Sequence, residues 1–395
     1  MWDGTGANTL RLRRRERRPR SARRRRWQLA ILAVVFGLLA IPAWSLGRTL
    51  AAPSTDPIGI RAVEWARDHR LGGLVSFVER TWYSHHQPPK GGTPKGGIPA
   101  APKLSAAPVR TKRRRAVPAP APKNVVPLAA NPLPGEGVWQ PSGRLILGRP
   151  ALWVTYLRPD SVHTSLLAGV AYIDMSHSMA TLHAGTDIPG GGPWVHDAHV
   201  APSDYPFVVA AFNSAFRLDN SHGGYYAEQR TVKPLVPGRA SFVTYADGRV
   251  DVGVWGRDDT MSAGVTAVRQ NLDLIVDGSA VVPGLADANS GLWGGTVGNK
   301  IYVWRSGVGV TAHGDLVYVA GPGLNVETLA ELLRRAGSVR AMELDINTWW
   351  ASFTTFTSDA AGAVHPTNLL PTMVRSPSRY LQQGTRDFIE IDARH

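Results

Sequence analysis

The stretch 305–350 limits most strongly what this chain can fold into. Residues 325–336 predict an amphipathic helix, because an asparagine can cap its start, a glycine at 337 can end it, and apolar residues recur at helical spacing. The buried stripe of that helix consists of Leu329, Leu332, Leu333 and Ala336. Apolar strands at 316–320 and 341–344 flank the helix, and the second runs directly into Asp345. A strand that ends in a carboxylate predicts a functional site, although Asp345 can equally cap a turn.

Positive charge is confined to the first third of the chain. The net charge is +14, yet residues 1–136 contain 25 Lys and Arg against 7 Asp and Glu, while residues 137–395 contain 19 against 23. The C-terminal part therefore lacks the basic surface that nucleic-acid binding requires, and we expect no nucleic-acid partner. Its length is sufficient for a full core, either as one large domain or as two fused halves.

An uncharged segment at 27–47 predicts a transmembrane helix. As a helix it would extend roughly 31 Å, which is enough for one bilayer crossing. Eleven arginines in 11–26 place that side in the cytoplasm and everything after residue 48 outside. We therefore expect a cytoplasmic tail at 1–26, an uncleaved signal-anchor, and a single-pass membrane protein with an extracytoplasmic main domain. A cleaved signal peptide is the rival interpretation.

Two segments connect the apolar helix to the domain. Residues 48–86 predict a juxtamembrane helical segment, since apolar residues recur at helical spacing. Residues 87–136 are rich in Pro, Ala, Gly and Lys, a composition that cannot form a core, and predict a disordered, extended linker. The domain would then span 137–395. The chain contains no cysteine, which excludes disulfides and thiolate chemistry.

Short apolar strands dominate the domain. They are predicted at 152–157, 167–173, 207–212, 241–245, 250–255, 301–304 and 388–391. Turn dipeptides such as Asp247-Gly248 and Asp277-Gly278 separate them. With one strong helix among these strands, we predict an α+β fold with a mixed, largely antiparallel sheet and few helices.

Polar residues follow two of the predicted strands. Asn213 ends the strand at 207–212 and leads into a glycine-rich loop that contains Arg217 and His222. Arg305 precedes flexible glycines, and its planar guanidinium together with backbone N–H groups can grip an anionic oxygen. Both segments are candidate binding loops.

A third segment combines carboxylates with tryptophans. Glu343 and Asp345 lie two residues apart on a strand and therefore share a face. Asn347, Trp349 and Trp350 follow closely. A carboxylate pair beside aromatic faces suits a site that cleaves sugars. The His196-Asp197-Ala198-His199 stretch offers weaker metal-ligand chemistry, and a polar surface loop is the favoured interpretation.

In this order the segments resemble the phosphodiester glycosidase family. Members typically show Asn-Gly-Gly-Phe-Phe after a strand, an arginine shortly before a glycine, a Gly-Leu followed by a helix, and an apolar strand ending in Leu-Asp-Gly-Gly-Gly-Ser. The counterparts here are Asn213-Ser214-Ala215-Phe216, Arg305 with Gly307 to Gly309, Gly323-Leu324, and Leu344-Asp345. The resemblance covers 205–350 and, more loosely, 140–395.

The resemblance implies an extracytoplasmic hydrolase of glycosyl-1-phosphodiester bonds that acts on a sugar phosphodiester or an anionic envelope glycan. Asp345 with Glu343 would supply the nucleophile or base, and Arg305 would neutralise the phosphate. The substrate-binding residues would be Asn213, Arg217, His222, Asn347, Trp349 and Trp350. No metal or cofactor is expected. Ile346 and Asn347 replace glycines that let a backbone approach a ligand, so a non-catalytic glycan-binding protein and a structural envelope protein are the alternatives.

Overall fold

The computed structural model describes residues 20–51, 57–102, 104–106, 121–286, 293 and 302–394. The helices in these ranges are α1 (Arg20–Ala51), α2 (Ile58–Ala66), α3 (Gly72–His85) and α4 (Val326–Arg335), with a π-helical turn at Arg67–Leu71 between α2 and α3 and a 3-10 helix at Pro377–Leu381. The strands are β1 (Ser105–Ala106), β2 (Gln140–Ile146), β3 (Arg149–Leu157), β4 (Ala168–Ile173), β5 (Ser178–His183), β6 (Val208–Asn213), β7 (Tyr225–Ala227), β8 (Arg230–Lys233), β9 (Ala240–Tyr245), β10 (Val250–Val254), β11 (Val265–Gln270), β12 (Leu274–Asp277), β13 (Ala280–Val281), β14 (Val303–Thr311), β15 (Leu316–Leu324), β16 (Ser338–Glu343), β17 (Phe353–Ser358), β18 (Val364–Asn368) and β19 (Phe388–Ala393).

The strands form three sheets. The largest has nine strands in the order β1-β2-β3-β4-β15-β14-β16-β12-β13, and the others have the orders β10-β9-β11-β7-β8 and β18-β17-β6-β19-β5. Neighbouring strands are antiparallel except β1 with β2. The α+β class with a largely antiparallel sheet and few helices is therefore confirmed.

The nine-stranded sheet is buried on both faces. On one face α4 packs its apolar stripe against β14, where a Cβ added at Gly307 would lie 2.9 Å from Leu333 Cδ1 and 3.3 Å from Leu329 Cδ2. On the other face Tyr318 of β15 contacts Phe212 and Phe353 from the sheet that contains β6 and β17. This sandwich fixes the ends of β6, β14 and β16 relative to one another.

Helix α1 is long and apolar enough to cross a membrane over residues 24–51. Such a helix near the N-terminus is compatible with either a membrane anchor or a signal sequence, and the direction of insertion stays a prediction. The tail at 1–19 lies outside the described residues.

The predicted linker contacts the domain on both sides of residues 107–120, which differs from a free tether. β1 pairs with β2, and Val125 is buried, with its N–H donated to Gly137 O. Glu136 forms a buried ion pair with Arg158. Composition could not reveal these contacts, because isolated apolar and charged residues in a proline-rich stretch find partners only in the folded domain. Residues 107–120 lie outside the described part.

Candidate functional site

The end of β16 is held rigidly against β14. Asp345 O accepts hydrogen bonds from Ser306 N at 3.0 Å and from Ser306 Oγ at 2.8 Å. The Asp345 carboxylate accepts the backbone N–H of Asn347 at 2.9 Å. The side chain of Asp345 is therefore presented by fixed backbone on both sides, as a catalytic carboxylate requires.

Asp345 sits in an electrostatically unusual position. Burial raises the pKa of its carboxyl group, while the positive charge of Arg386 partly opposes that rise. The distance between Asp345 Oδ2 and Arg386 Nη2 is 3.9 Å. A raised pKa makes the ionised carboxylate a stronger base than a solvated aspartate.

Arg386 is a buried cation whose hydrogen-bonding capacity is only partly used. It is 7% exposed, and burial lowers the pKa of its guanidinium. Its Nη2 is 3.6 Å from Glu64 Oε1. Within the described part of the chain, its Nε and Nη1 are buried without a hydrogen-bond partner. An orphaned buried guanidinium N–H group is costly and marks a place where an acceptor would be stabilised.

Arg217 also contacts the carboxylate of Glu64, which belongs to α2. Its Nη1 donates to Glu64 Oε2 at 2.5 Å, and its Nη2 pairs with Asp68. Asp187 faces this group, and burial raises the pKa of Asp187. The site is therefore a cluster of two arginines, with carboxylates from the domain and from the α2 segment.

Trp350 is enclosed by arginines. The guanidinium carbons of Arg375, Arg379 and Arg386 lie 5.2, 5.5 and 4.7 Å from its ring centre. Cation–π contacts of this kind stabilise neighbouring positive charges. Trp350 is 3% exposed, so it cannot stack on a sugar as expected, whereas Trp349 is half-buried.

Arg305 and Glu343 do not line an open site. Arg305 is fully buried, its Nη1 lies 2.5 Å from Glu343 Oε1, and its Nε donates to Leu324 O. Burial raises the pKa of Glu343 to about 7, against the opposing charge of Arg305. The expected roles, phosphate grip and catalysis, are corrected to a structural ion pair, because neither charged group reaches solvent.

Of the remaining predicted residues, some stabilise the backbone of the site and others do not contact it. The side-chain oxygen of Asn213 accepts from Tyr318 Oη and Ser352 N, and its amide donates to Ser306 Oγ at 3.0 Å. It therefore positions the backbone under Asp345 instead of holding a ligand. Asn347 likewise uses its side-chain oxygen to accept Trp349 N.

His222 and the possible metal ligands contribute nothing to this cluster. His222 is exposed, and within the described ranges it has no hydrogen bond or ion pair to a site residue. In the same ranges, no group of three or more His, Asp or Glu side chains is arranged to hold a metal ion.

Sequence reasoning missed Arg386 and Glu64. Arg386 follows a polar segment with no periodic pattern, and Glu64 lies more than 150 positions from Arg217 along the chain. Only the helical phase of α2 relative to the domain brings them together, and no local signal encodes that phase.

The chain was compared with known proteins. No protein-family model matches it, and no curated protein sequence matches it. Among solved structures, the catalytic domain of zebrafish N-acetylglucosamine-1-phosphodiester alpha-N-acetylglucosaminidase is similar with a TM-score of 0.38 and 13% identity, covering 62% of this chain and 84% of that one.

Two further solved structures are similar to this chain. A hypothetical protein from Synechocystis has a TM-score of 0.37 and 11% identity, covering 65% of this chain and 64% of that one. A putative exported protein from Burkholderia pseudomallei K96243 has a TM-score of 0.31 and 12% identity, with 57% and 74% covered.

Proposed function

We propose that the protein is a membrane-anchored, extracytoplasmic hydrolase of glycosyl-1-phosphodiester bonds. The observation that carries the proposal is a buried carboxylate, Asp345, 3.9 Å from a buried guanidinium, Arg386, that has unpartnered N–H groups. Hydrolysis of a bond between a sugar and a phosphodiester needs two groups of this kind. One is a base for the water that attacks the sugar carbon, and the other is a cation beside the departing phosphate.

Asp345 is the proposed general base. Its carboxylate accepts a proton from a water molecule, whose oxygen attacks the anomeric carbon, while the bond from that carbon to the phosphate oxygen breaks. The electron pair leaves with the phosphate monoester. Because this leaving group is already stable as an anion, one carboxylate suffices, and Glu343 is not needed as an acid.

Arg386 is the proposed electrostatic partner. Negative charge grows on the bridging oxygen as the bond breaks, and a preorganised guanidinium in a dry site stabilises that charge strongly. Arg217 extends the positive region towards solvent. Trp349, which is half-buried, is the remaining aromatic candidate for contact with the sugar.

The test is turnover of a panel of sugar-1-phosphodiesters by the full chain in detergent. Asp345→Asn is expected to reduce kcat by at least about 100-fold, because an amide cannot take the proton. Asp315→Asn is the matched control, since Asp315 is also a buried carboxyl group but lies at the turn between β14 and β15. Equal turnover by Asp345→Asn and wild type would exclude the mechanism.

A non-catalytic glycan-binding function is the second candidate. The observation that favours it is that Asn213, Arg305 and Glu343 are all engaged internally, which leaves Asp345 as the one carboxylate of the predicted pair that lies at the site. Binding of anionic glycans without turnover of any substrate in the panel would support this candidate.

A further inference from the structure

Glu64 of α2 bridges the two arginines of the candidate site. Glu64 Oε2 accepts from Arg217 Nη1, and Glu64 Oε1 lies 3.6 Å from Arg386 Nη2. Burial pushes the pKa of Glu64 upward, but the charges of Arg386, Arg217 and Arg67 outweigh it and lower the pKa. An ionised carboxylate therefore occupies the space between the two guanidinium groups.

The Glu64 carboxylate does not satisfy all the N–H groups of the two arginines. Glu64 Oε2 accepts from Arg217 Nη1, but Glu64 Oε1 accepts from Arg67 Nη1 at 3.3 Å, so Arg386 faces Glu64 at 3.6 Å without a hydrogen bond. Nε and Nη1 of Arg386 stay buried and without a partner in the described part of the chain. A tetrahedral phosphate offers more acceptor oxygens around one centre and matches guanidinium groups through paired hydrogen bonds.

We propose that Arg217 and Arg386 form a phosphate subsite beside Asp345, and that Glu64 is its built-in occupant, which a phosphate-bearing ligand must displace. The proposal rests on the proposed function for the identity of the reaction, and it adds how access to the site is controlled. The subsite favours an oxyanion because both guanidinium groups face the Glu64 carboxylate, and Arg386 Nη2 also lies 3.9 Å from Asp345 Oδ2.

The segment that carries Glu64 is attached by polar contacts rather than by a core. None of the residues of α2 is buried. Its contacts with the domain include the Glu64 pairs and the Asp68–Arg217 pair, and Arg67 ties Glu64 to Glu79 within the segment. The Asp68–Arg217 pair is partly exposed and contributes little to stability, whereas the Glu64 pairs are largely buried, so phosphate competes by supplying charge-assisted hydrogen bonds to the same guanidinium groups.

The segment also links the site to helix α1. Trp65 Nε1 donates to Ser45 Oγ at 3.1 Å, and Arg61 donates to Thr49 O. The position of α2, and therefore of Glu64, depends on how α1 is held. Displacement of Glu64 thus couples occupancy of the subsite to the membrane-proximal part of the chain.

The experiment measures binding of inorganic phosphate to the full chain in detergent by calorimetry. Glu64→Gln is expected to bind phosphate at least ten-fold more tightly than wild type, because the competing charge is gone. Glu79→Gln is the matched control: it removes the same charge from the same segment without touching Arg217 or Arg386, and should bind as wild type does.

A second pair of variants tests the arginines. Adding Arg386→Gln to Glu64→Gln should abolish the gain, and Arg217→Gln should weaken it, the latter being a partly exposed residue whose replacement is compatible with folding. Equal phosphate affinity in wild type, Glu64→Gln and Glu79→Gln would overturn the proposal. So would a gain that survives both arginine substitutions.

Turnover separates this proposal from the proposed function. If Glu64→Gln gains phosphate affinity but no sugar phosphodiester is cleaved by any variant, the subsite stands and the hydrolase assignment fails. If substrates are cleaved and Glu64→Gln changes neither phosphate affinity nor KM, the hydrolase assignment stands and Glu64 is only a structural contact.

Discussion

Two buried arginines, Arg305 and Arg386, differ in what their guanidinium groups contact. Arg305 faces Glu343 and a backbone carbonyl, so its charge is matched inside the protein. Arg386 keeps two N–H groups without a partner among the described residues and touches carboxylates only at 3.6 and 3.9 Å. Its residue type and the neighbouring glycines suggest that Arg305 binds the phosphate. The N–H groups of Arg386 that lack a partner indicate that Arg386 does so instead.

A second buried cluster, away from Asp345, predicts how stability depends on pH. Burial raises the pKa of Glu390 from its usual 4.5 to about 7, and burial together with the charge of Glu390 raises the pKa of Asp392. His183 Nε2 lies 2.5 Å from Glu390 Oε2, and Asp204 and Arg144 also face the cluster. The folded state therefore binds more protons than the unfolded chain between pH 4.5 and 7.

We predict that the free energy of unfolding falls as pH rises through this window, by at most about 3 kcal/mol for Glu390. Glu390→Gln should remove this part of the slope. His183 acts in the opposite direction, because burial lowers its pKa. Since Glu390 also raises the pKa of Asp392, the comparison of wild type with Glu390→Gln measures the contribution of the coupled pair of carboxyl groups. Urea denaturation at pH 5, 6, 7 and 8 measures the slope; parallel profiles would show that Glu390 ionises normally.

At the residue scale, the sequence could place Asp345 but not its partners. Asp345 follows an apolar strand after a strong helix, which is local information. Arg386 and Glu64 acquire their roles from contacts between segments far apart in the chain. Trp350 shows the opposite error: its aromatic character suggested a platform, and only tertiary packing shows that arginines bury it.

At the scale of elements, the sequence predicts the helix and the strand that leads into Asp345, but it assigns Arg305 to a loop although Arg305 lies in β14. The helix expected at 325–336 is α4, and Asn325 caps it through a reciprocal pair of hydrogen bonds with Thr328. The glycines after Arg305 were interpreted as a flexible anion grip, but Gly307 and Gly309 lie inside β14. Glycine occupies these positions because α4 and β16 approach β14 closely. A sequence pattern cannot distinguish glycines required for packing from glycines that bind a ligand.

Gly309→Ala tests this packing role. A Cβ at position 309 would lie 2.4 Å from Ser338 Oγ and 2.8 Å from Ala341 Cβ, so β16 must shift. We expect a loss of about 1–3 kcal/mol in the free energy of unfolding. Gly264→Ala is the control, because its nearest neighbour would be 3.8 Å away. Equal chemical denaturation of the two variants would contradict a packing role for Gly309.

At the scale of the whole molecule, the N-terminal part and the domain are more closely connected than composition suggests. The charge split at residue 136 separates a basic part from a slightly acidic one, yet Glu136, Val125 and Glu64 all contact the domain. Composition separates regions that fold by different rules, but it does not report which polar residues of a proline-rich stretch dock on a surface.

The domain boundary is therefore expected to lie before residue 137. A fragment that begins at Gly137 lacks Glu136 and leaves Arg158, which is 6% exposed, as an unpaired buried cation. It also lacks Val125, whose backbone lies against Gly137. Removing one partner of a buried ion pair costs about 3–5 kcal/mol, which is a large share of the stability of an ordinary domain.

We predict that the fragment 137–395 melts at a clearly lower temperature than the fragment 87–395, as followed by circular dichroism. Glu136→Gln within 87–395 is the matched variant: it breaks the ion pair but keeps Val125 and β1, so it should fall between the two. If 137–395 and 87–395 melt together, the packed ends of the linker add nothing to the core. If Glu136→Gln matches 137–395, the ion pair alone accounts for the difference, and the contacts of Val125 and β1 are incidental.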